Sequence, residues 1–329
     1  MITVSTFSSI RLVHSRAYPV AAAKSGEVVV LSQDGAGSLI SADRKTMRSF
    51  KLPFEIKEAT ISPSGDILAV LRQEGISIVR TTDFVEVVTL KDQCHGCLLT
   101  DSFLWTVTRL DNEAAAIEVR EVNQWITIAR AEVDDPFGDS AFTFFPHPET
   151  DHVVLWAAAG QDGQCLYWVH YAGQSIRVER FPGLDDTTPP AFDREGRRFL
   201  VVSGWDLRLY EYPSGPELGR SSWPHENDPP GVYVSFVEQD YALVLSAEGR
   251  LFLIHVRTMS IADEIAIEGH EPKSVTELYP TLRHERGLCS DMSSFLALPN
   301  GEFLSVHREL PAKTDPPHGK ILFWRMPGH

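Results

Sequence analysis

Residues 57–90, KEATISPSGDILAVLRQEGISIVRTTDFVEVVTL, hold four short apolar runs separated by three turn signals. The first run, Ala59 to Ser62, stops at Pro63-Ser64-Gly65-Asp66, a composition that presets φ, offers side-chain acceptors to the backbone and supplies a glycine for a left-handed position. Residues 67–71 follow, then a turn at Gly75, residues 76–79, a polar turn at Thr82-Asp83, and residues 85–90. Short runs of this kind between turn residues read as strands, and their succession reads as one four-stranded antiparallel meander.

The same unit recurs along the chain. With its second strand as a ruler, the starts fall near Val28, Ile67, Leu104, Val153, Phe199, Ala242 and Phe303. Most steps between them match the period of about 40 to 50 residues expected of four-stranded propeller blades, and only the last is long. Turn compositions precede these strands, among them Lys24-Ser25-Gly26, Pro146-His147-Pro148-Glu149, Asp193-Arg194-Glu195-Gly196, Glu238-Gln239-Asp240 and Pro299-Asn300-Gly301. Third strands are expected around Leu39, Ile76, Ile117, Leu166, Leu207, Leu251 and Ile321, with period-two alternation clearest at Leu207-Arg208-Leu209-Tyr210. Residues 320–325 read as a third strand followed only by Met326-Pro327-Gly328-His329, so the last unit needs an outer strand from elsewhere. Residues 2–10, alternating through Ile2, Val4, Thr6 and Ser8, are placed to supply it.

Over essentially its whole length this pattern resembles the WD-repeat-like β-propellers. Trp324-Arg325 stands where that family ends its third strand with Trp-Asp, Trp205-Asp206 precedes a third strand, and Gly269-His270 matches the family's Gly-His pair once. The resemblance implies an all-β fold, a seven-bladed β-propeller of four-stranded antiparallel blades with an N-terminal strand closing the last one. It also implies a scaffold or subunit that recruits another protein. The chain is read as a single domain, 1–329, with two departures: a helix-containing insertion near 268–291, where Ser274-Val275-Thr276-Glu277 matches a capping box, and a proline-rich loop near 309–319.

Composition narrows the function classes. Hydrophobic content of 43% with 23% charged residues suits a packed chain of 329 residues. A formal charge of -15, from 45 acids against 30 bases, disfavours a phosphate backbone as partner, so no nucleic acid is expected. Apolar runs such as Val153 to Ala159 are too short to span a bilayer and the first residues carry no secretory pattern, which predicts a cytoplasmic protein without a membrane partner. Four cysteines, Cys94, Cys97, Cys165 and Cys289, are too few for a disulfide scaffold and are expected to be reduced.

The candidate site rests on the connections from the fourth strand of one unit to the first strand of the next, which in a propeller emerge on one face. They carry Asp134, Asp135 and Asp139; Asp185 and Asp186; Trp223, His225, Glu226 and Asp228; and His270 with Glu271. Acids and histidines around one tryptophan suggest a docking face for a cationic or metal-bearing partner, with Trp223 as the apolar anchor. The alternative is a solvated acidic surface, since turns favour Asp for backbone reasons alone.

No complete catalytic signature occurs. Gly35-Ala36-Gly37-Ser38 does not finish a dinucleotide fingerprint, and the Gly138-Asp139-Ser140-Ala141-Phe142 stretch lacks the last glycine of a nucleophile elbow. Cys94-His95-Gly96-Cys97 has CxxC spacing but precedes a strand, which reads as a pair of small buried thiols. His255, His270, His284, His307, His318 and His329 show no metal-binding register, so no metal or other cofactor is expected. Trp105, Trp156, Trp168 and Trp324 fall in second or third strands and read as packing between blades. The reading favours binding over catalysis. The alternative kept open is a loop-built enzyme or small-ligand binder, of the metal-assisted lactonase or hydrolase type, at the axial channel mouth.

Overall fold

The computed structural model describes residues 1–12, 17–22, 25–91, 93–110, 113–159, 163–182, 187–213, 215–225, 228, 230–270, 292–298, 300–309 and 318–327. The expected helix at Ser274-Val275-Thr276-Glu277 and most of the proline-rich loop lie outside these residues. Among the described residues every regular element is a β-strand, and no helix is long and apolar enough to cross a membrane. Two compact units are present, Tyr18–Thr187 and a second made of Met1–Ala17 with Thr188–His329.

The chain begins with β1 (Ile2–Val4) and β2 (Thr6–Leu12), which belong to the second unit. The first unit then lays down four sheets in chain order. Blade 1 is β3 (Ala17–Ala22), β4 (Val28–Ser32), β5 (Ala36–Ile40) and β6 (Met47–Lys51). Blade 2 is β7 (Glu58–Ile61), β8 (Ile67–Arg72), β9 (Gly75–Arg80) and β10 (Val85–Leu90). Blade 3 is β11 (Gly96–Leu99), β12 (Phe103–Arg109), β13 (Ala114–Glu121) and β14 (Thr127–Asp134). Blade 4 is β15 (Ala141–Pro146), β16 (His152–Ala158), β17 (Gln164–Tyr171) and β18 (Ile176–Arg180).

Blade 2 shows why the quoted stretch folds as it does. Gly65 adopts φ 84 and its amide closes a turn onto the Ser62 carbonyl at 2.8 Å, so the chain reverses where Pro63 and Ser64 allow it. Gly75 adopts φ 137, and a Cβ there would collide with the Leu90 carbonyl, which excludes any larger residue from the second turn. The middle strands β8 and β9 are buried on both faces while β10 is largely exposed. Sheets that pack on both sides need continuous apolar runs, and only an outer strand may alternate with polar residues.

Cores lie between consecutive blades. In the first unit Trp105, Val107 and Ile117 of blade 3 join Phe144, Leu155 and Val169 of blade 4 in one buried cluster. In the second unit Leu200 and Leu209 pack with Val244 and Ile254, and Leu245 and Leu251 pack with Phe303 and Trp324. Each side chain of this size contributes about 1.5–3 kcal/mol by leaving water.

The second unit supplies the remaining blades. Blade 5 is β19 (Ala191–Phe192), β20 (Arg198–Ser203), β21 (Asp206–Glu211) and β22 (Glu217–Ser222). Blade 6 is β23 (Pro230–Glu238), β24 (Tyr241–Ser246), β25 (Leu251–His255) and β26 (Ser260–Ile267). Blade 7 is β27 (Met292–Ala297), β28 (Glu302–Glu309) and β29 (His318–Arg325), completed by β2, which runs antiparallel to β29 with Ile10 opposite Ile321. Seven consecutive four-stranded antiparallel blades define a seven-bladed β-propeller. Each expected second-strand start falls on the first or second residue of a strand.

The N-terminal segment refines the expected closure. Residues 2–10 do not form one strand: β1 adds to blade 6 as a fifth strand, parallel to β26, with Val4 opposite Ile267. Val4 is buried beside Leu251 and Ile265, and its carbonyl accepts the Glu268 amide at 2.9 Å. Burial of Val4 therefore directs the segment to one blade before β2 reaches the next.

Candidate functional site

The connection from β14 to β15, in the first unit, is built around Asp135. This residue is 5% exposed. Its carboxylate accepts the Phe137 amide at 3.2 Å, the Ser140 amide at 3.0 Å and the Ser140 hydroxyl at 2.5 Å. Burial opposes ionisation, but the Ser140 and backbone hydrogen bonds outweigh it and hold the carboxyl below its usual value. Asp135 thus organises the loop from inside and is not offered to a partner. Asp134 is exposed, and its carbonyl accepts the Tyr167 hydroxyl at 2.8 Å. Asp139 is exposed and pairs with Arg109 at 2.5 Å.

The connection from β22 to β23, in the second unit, has a different centre. Trp223, the apolar anchor of the sequence reading, is 5% exposed. Its ring meets Phe252 edge-on, with centroids 5.1 Å apart, and its indole N–H donates to the Asp228 carbonyl at 2.6 Å. The burial has a physical reason: once the chain turns at Pro224, the indole can fill the space over β25 and satisfy its N–H within the loop. His225 stacks on the other part of this surface, 4.8 Å from the Phe252 ring.

Asp228 is also buried, and its Oδ1 accepts the Glu248 amide at 2.9 Å. Its Oδ2 lies 3.7 Å from Arg250, which forms a two-pronged pair with Glu264 at 2.9 and 2.6 Å and sits 4.9 Å from the Phe252 centroid. The hydrogen bonds from Arg250 draw the Glu264 carboxyl below its usual value. The acids here are engaged within the protein, so the surface is less bare in charge than the sequence suggests.

An exposed tryptophan does stand beside this loop, and it is Trp205. Its carbonyl accepts the Trp223 amide at 2.7 Å, and its side chain is 47% exposed at the tip of the β20–β21 hairpin. Gly204, at φ 57, makes the tip. Asp206 secures it: the carboxylate accepts the Ser222 hydroxyl at 2.8 Å and pairs with Arg220. The sequence contains the signal, a tryptophan directly after a turn glycine instead of within a strand. Trp205 thus adjoins, through the Trp223 backbone, a loop in which Pro224 is exposed and His225 partly so.

His270 is half-buried, with its ring 4.3 Å from that of His307. His307 shares the Ser305 hydroxyl at 2.7 Å with Trp324, whose indole N–H donates to it at 3.1 Å. The Gly-His pair thus abuts an interior polar network of blade 7. Asp185, Asp186, Glu226 and Glu271 lie outside the described residues.

The CxxC pair is buried in the first unit, and no disulfide involves Cys94 or Cys97. Desolvation, with Glu58 and Cys94 nearby, pushes the Cys97 thiol well up, which opposes the thiolate that redox or metal chemistry requires. Burial raises the Glu58 carboxyl to about 7 despite the hydrogen bond it receives from the Cys97 amide. Trp105, Trp168 and Trp324 are buried, as strand packing requires, and Trp156 donates to the Thr187 carbonyl at 3.0 Å.

Comparison with known proteins supports the fold alone. The chain is similar to the Cps50 (Swd1) β-propeller domain of Myceliophteria thermophila, with a TM-score of 0.65 and 12% identity over 98% of this chain and 99% of that one. It is also similar to a chain in the crystal structure of a mitotic checkpoint complex, with a TM-score of 0.67 and 9% identity over 99% of this chain and 93% of that one. No family model and no curated protein matches its sequence.

Proposed function

We propose that this propeller is a protein-binding scaffold or subunit of the WD-repeat-like kind, and that the surface formed by Trp205, Pro224 and His225 is its principal contact. The observation that carries the reading is the exposed Trp205 indole on a hairpin braced by Asp206. A rigid, amphipathic aromatic ring beside polar groups is the usual composition of an energetic hot spot. Two further facts support it. The structural neighbours include a chain solved within a multiprotein complex, and a charge of -15 favours encounter with a basic partner. Asp134, Asp139, Asp185, Asp186, Glu226 and Glu271 are among the 45 acids that give the chain this charge. A standard interface would cover about 800 Å² of this protein.

The test is quantitative affinity capture from the native host, comparing the wild type with Trp205→Ala and with Leu110→Ala, which removes an exposed side chain of the first unit. The reading predicts partners retained by the wild type and Leu110→Ala and lost by Trp205→Ala. An identical set of partners at identical yield from all three proteins contradicts it.

A further inference from the structure

The first unit gathers metal-ligating side chains at one end of blade 4, away from the connections described above. Glu149 and Asp151 stand in the turn between β15 and β16, His152 begins β16, and His170 lies directly opposite His152 in the β16–β17 register. His152 Nδ1 is 3.1 Å from Glu149 Oε2 and 3.0 Å from Asp151 Oδ1. His170 Nε2 is 3.5 Å from Asp151 Oδ2, and the two imidazoles stack with centroids 4.0 Å apart and planes within 5°. We propose that Asp151, His152 and His170, one ligand atom of each lying within 4.8 Å of the others, form a binding site for a divalent transition-metal ion of the Zn²⁺ class, with Glu149 beside His152.

Four arguments carry the assignment. First, zinc bonds of about 2.0–2.1 Å to nitrogen and oxygen in a tetrahedron place neighbouring ligand atoms about 3.3 Å apart. The observed separations of 3.0, 3.1 and 3.5 Å are of that size, and because the two imidazoles stack, coordination by both requires one ring to turn out of the stack. Second, two carboxylates converge on one His152 nitrogen, a demand that a single N–H meets poorly and a cation meets fully. Two carboxylates and two neutral imidazoles balance the charge of a divalent ion.

Third, the donor set selects the ion. Imidazole nitrogen with carboxylate oxygen suits zinc and its neighbours in the transition series, whereas calcium and magnesium favour oxygen alone. Fourth, the backbone holds the ligands in place. The Tyr171 amide donates to the Asp151 carbonyl at 2.9 Å, and the His152 amide donates to the Glu149 carbonyl at 3.2 Å. Buried His147 accepts the Glu149 amide through Nδ1 at 3.0 Å. That engages the nitrogen lone pair of His147 and makes it a positioning residue for the turn instead of a ligand.

In the sequence, residues 146–149 read as a turn and the histidines cluster most densely toward the C-terminus. The ligands His152 and His170 are brought together only by strand register, which a helical His-Glu-x-x-His search does not detect.

The test uses the full chain freed of metal by chelation and titrated with Co²⁺ and with Zn²⁺, alongside His170→Ala, Asp151→Asn and the double variant Cys94→Ser/Cys97→Ser. The side chains of His170 and Asp151 are partly solvent-exposed, and circular dichroism confirms that each variant retains its strands. The proposal predicts one high-affinity equivalent, a Co²⁺ visible spectrum without a thiolate charge-transfer band, and a loss of affinity of at least about 10-fold in both ligand variants, a size already seen for loss of outer-shell partners. The cysteine variant retains full binding. Absence of binding, binding that both ligand variants preserve, or binding abolished by the cysteine changes overturns the proposal.

Discussion

The loops at 135–140 and 223–228 occupy equivalent places between blades and share an acidic, turn-rich composition, yet they are built to different plans. In the first, Asp135 gathers the amides of Phe137 and Ser140 and the loop closes upon itself. In the second, Asp228 accepts the Glu248 amide and lies near Arg250, so the loop is tied to the β24–β25 turn of the following blade. Only the second has a buried indole beneath it and an exposed one beside it. The difference teaches that a loop aspartate is first a backbone acceptor. Packing decides which aromatic side chain is left outside, and the proposed contact follows from that.

The largest test of this contrast is Trp223→Ala. Removing a buried indole that also donates a hydrogen bond is expected to cost about 3–5 kcal/mol in chemical denaturation. If the ring were an exposed anchor, the loss would be within about 0.5 kcal/mol. Asp135→Ala follows, with an expected loss of about 1–3 kcal/mol, because the Ser140 and Phe137 donors lose their acceptor.

One buried and one partly buried carboxyl extend the comparison to pH. Asp135 has its carboxyl lowered, so its contribution is present above the unfolded value of 3.8 and is lost as pH falls through the folded one. Glu58 has its carboxyl raised from 4.5 to about 7, so the folded state holds the extra proton between those values. Stability from Glu58 is complete below 4.5 and declines as pH rises toward 7. Glu58→Gln is therefore expected to raise stability at pH 8 by about 1–3 kcal/mol and to flatten the decline above pH 5. Denaturation midpoints measured from pH 4 to 9 check both signs; a Glu58→Gln curve parallel to the wild type refutes the second.

Much of the fold was legible because it rests on local chemistry. Turn residues such as Pro63-Ser64-Gly65 recur before buried apolar strands, and both signals survive without knowledge of neighbours. The split of residues 2–10 was not legible, because it depends on the site that buries Val4. The candidate surface was legible only in part. Trp205 and Trp223 both adjoin turns, and only the position of Phe252 beneath Trp223 determines which is covered. Likewise the sequence shows Asp135 and Asp228 as acids but cannot show the amide donors that enclose them.

The smallest expected effect on folding belongs to Trp205, the residue proposed as the principal contact. Trp205→Ala is expected to alter stability by no more than about 0.5 kcal/mol, since nearly half of the side chain is already in water. The direct measurement is partner affinity, determined with purified wild type and Trp205→Ala against the protein recovered by capture, in parallel with denaturation of both. The account predicts unchanged stability with affinity reduced by about 2 kcal/mol or more, the size expected of a hot-spot aromatic. Equal affinities for the two proteins would contradict the assignment of this surface.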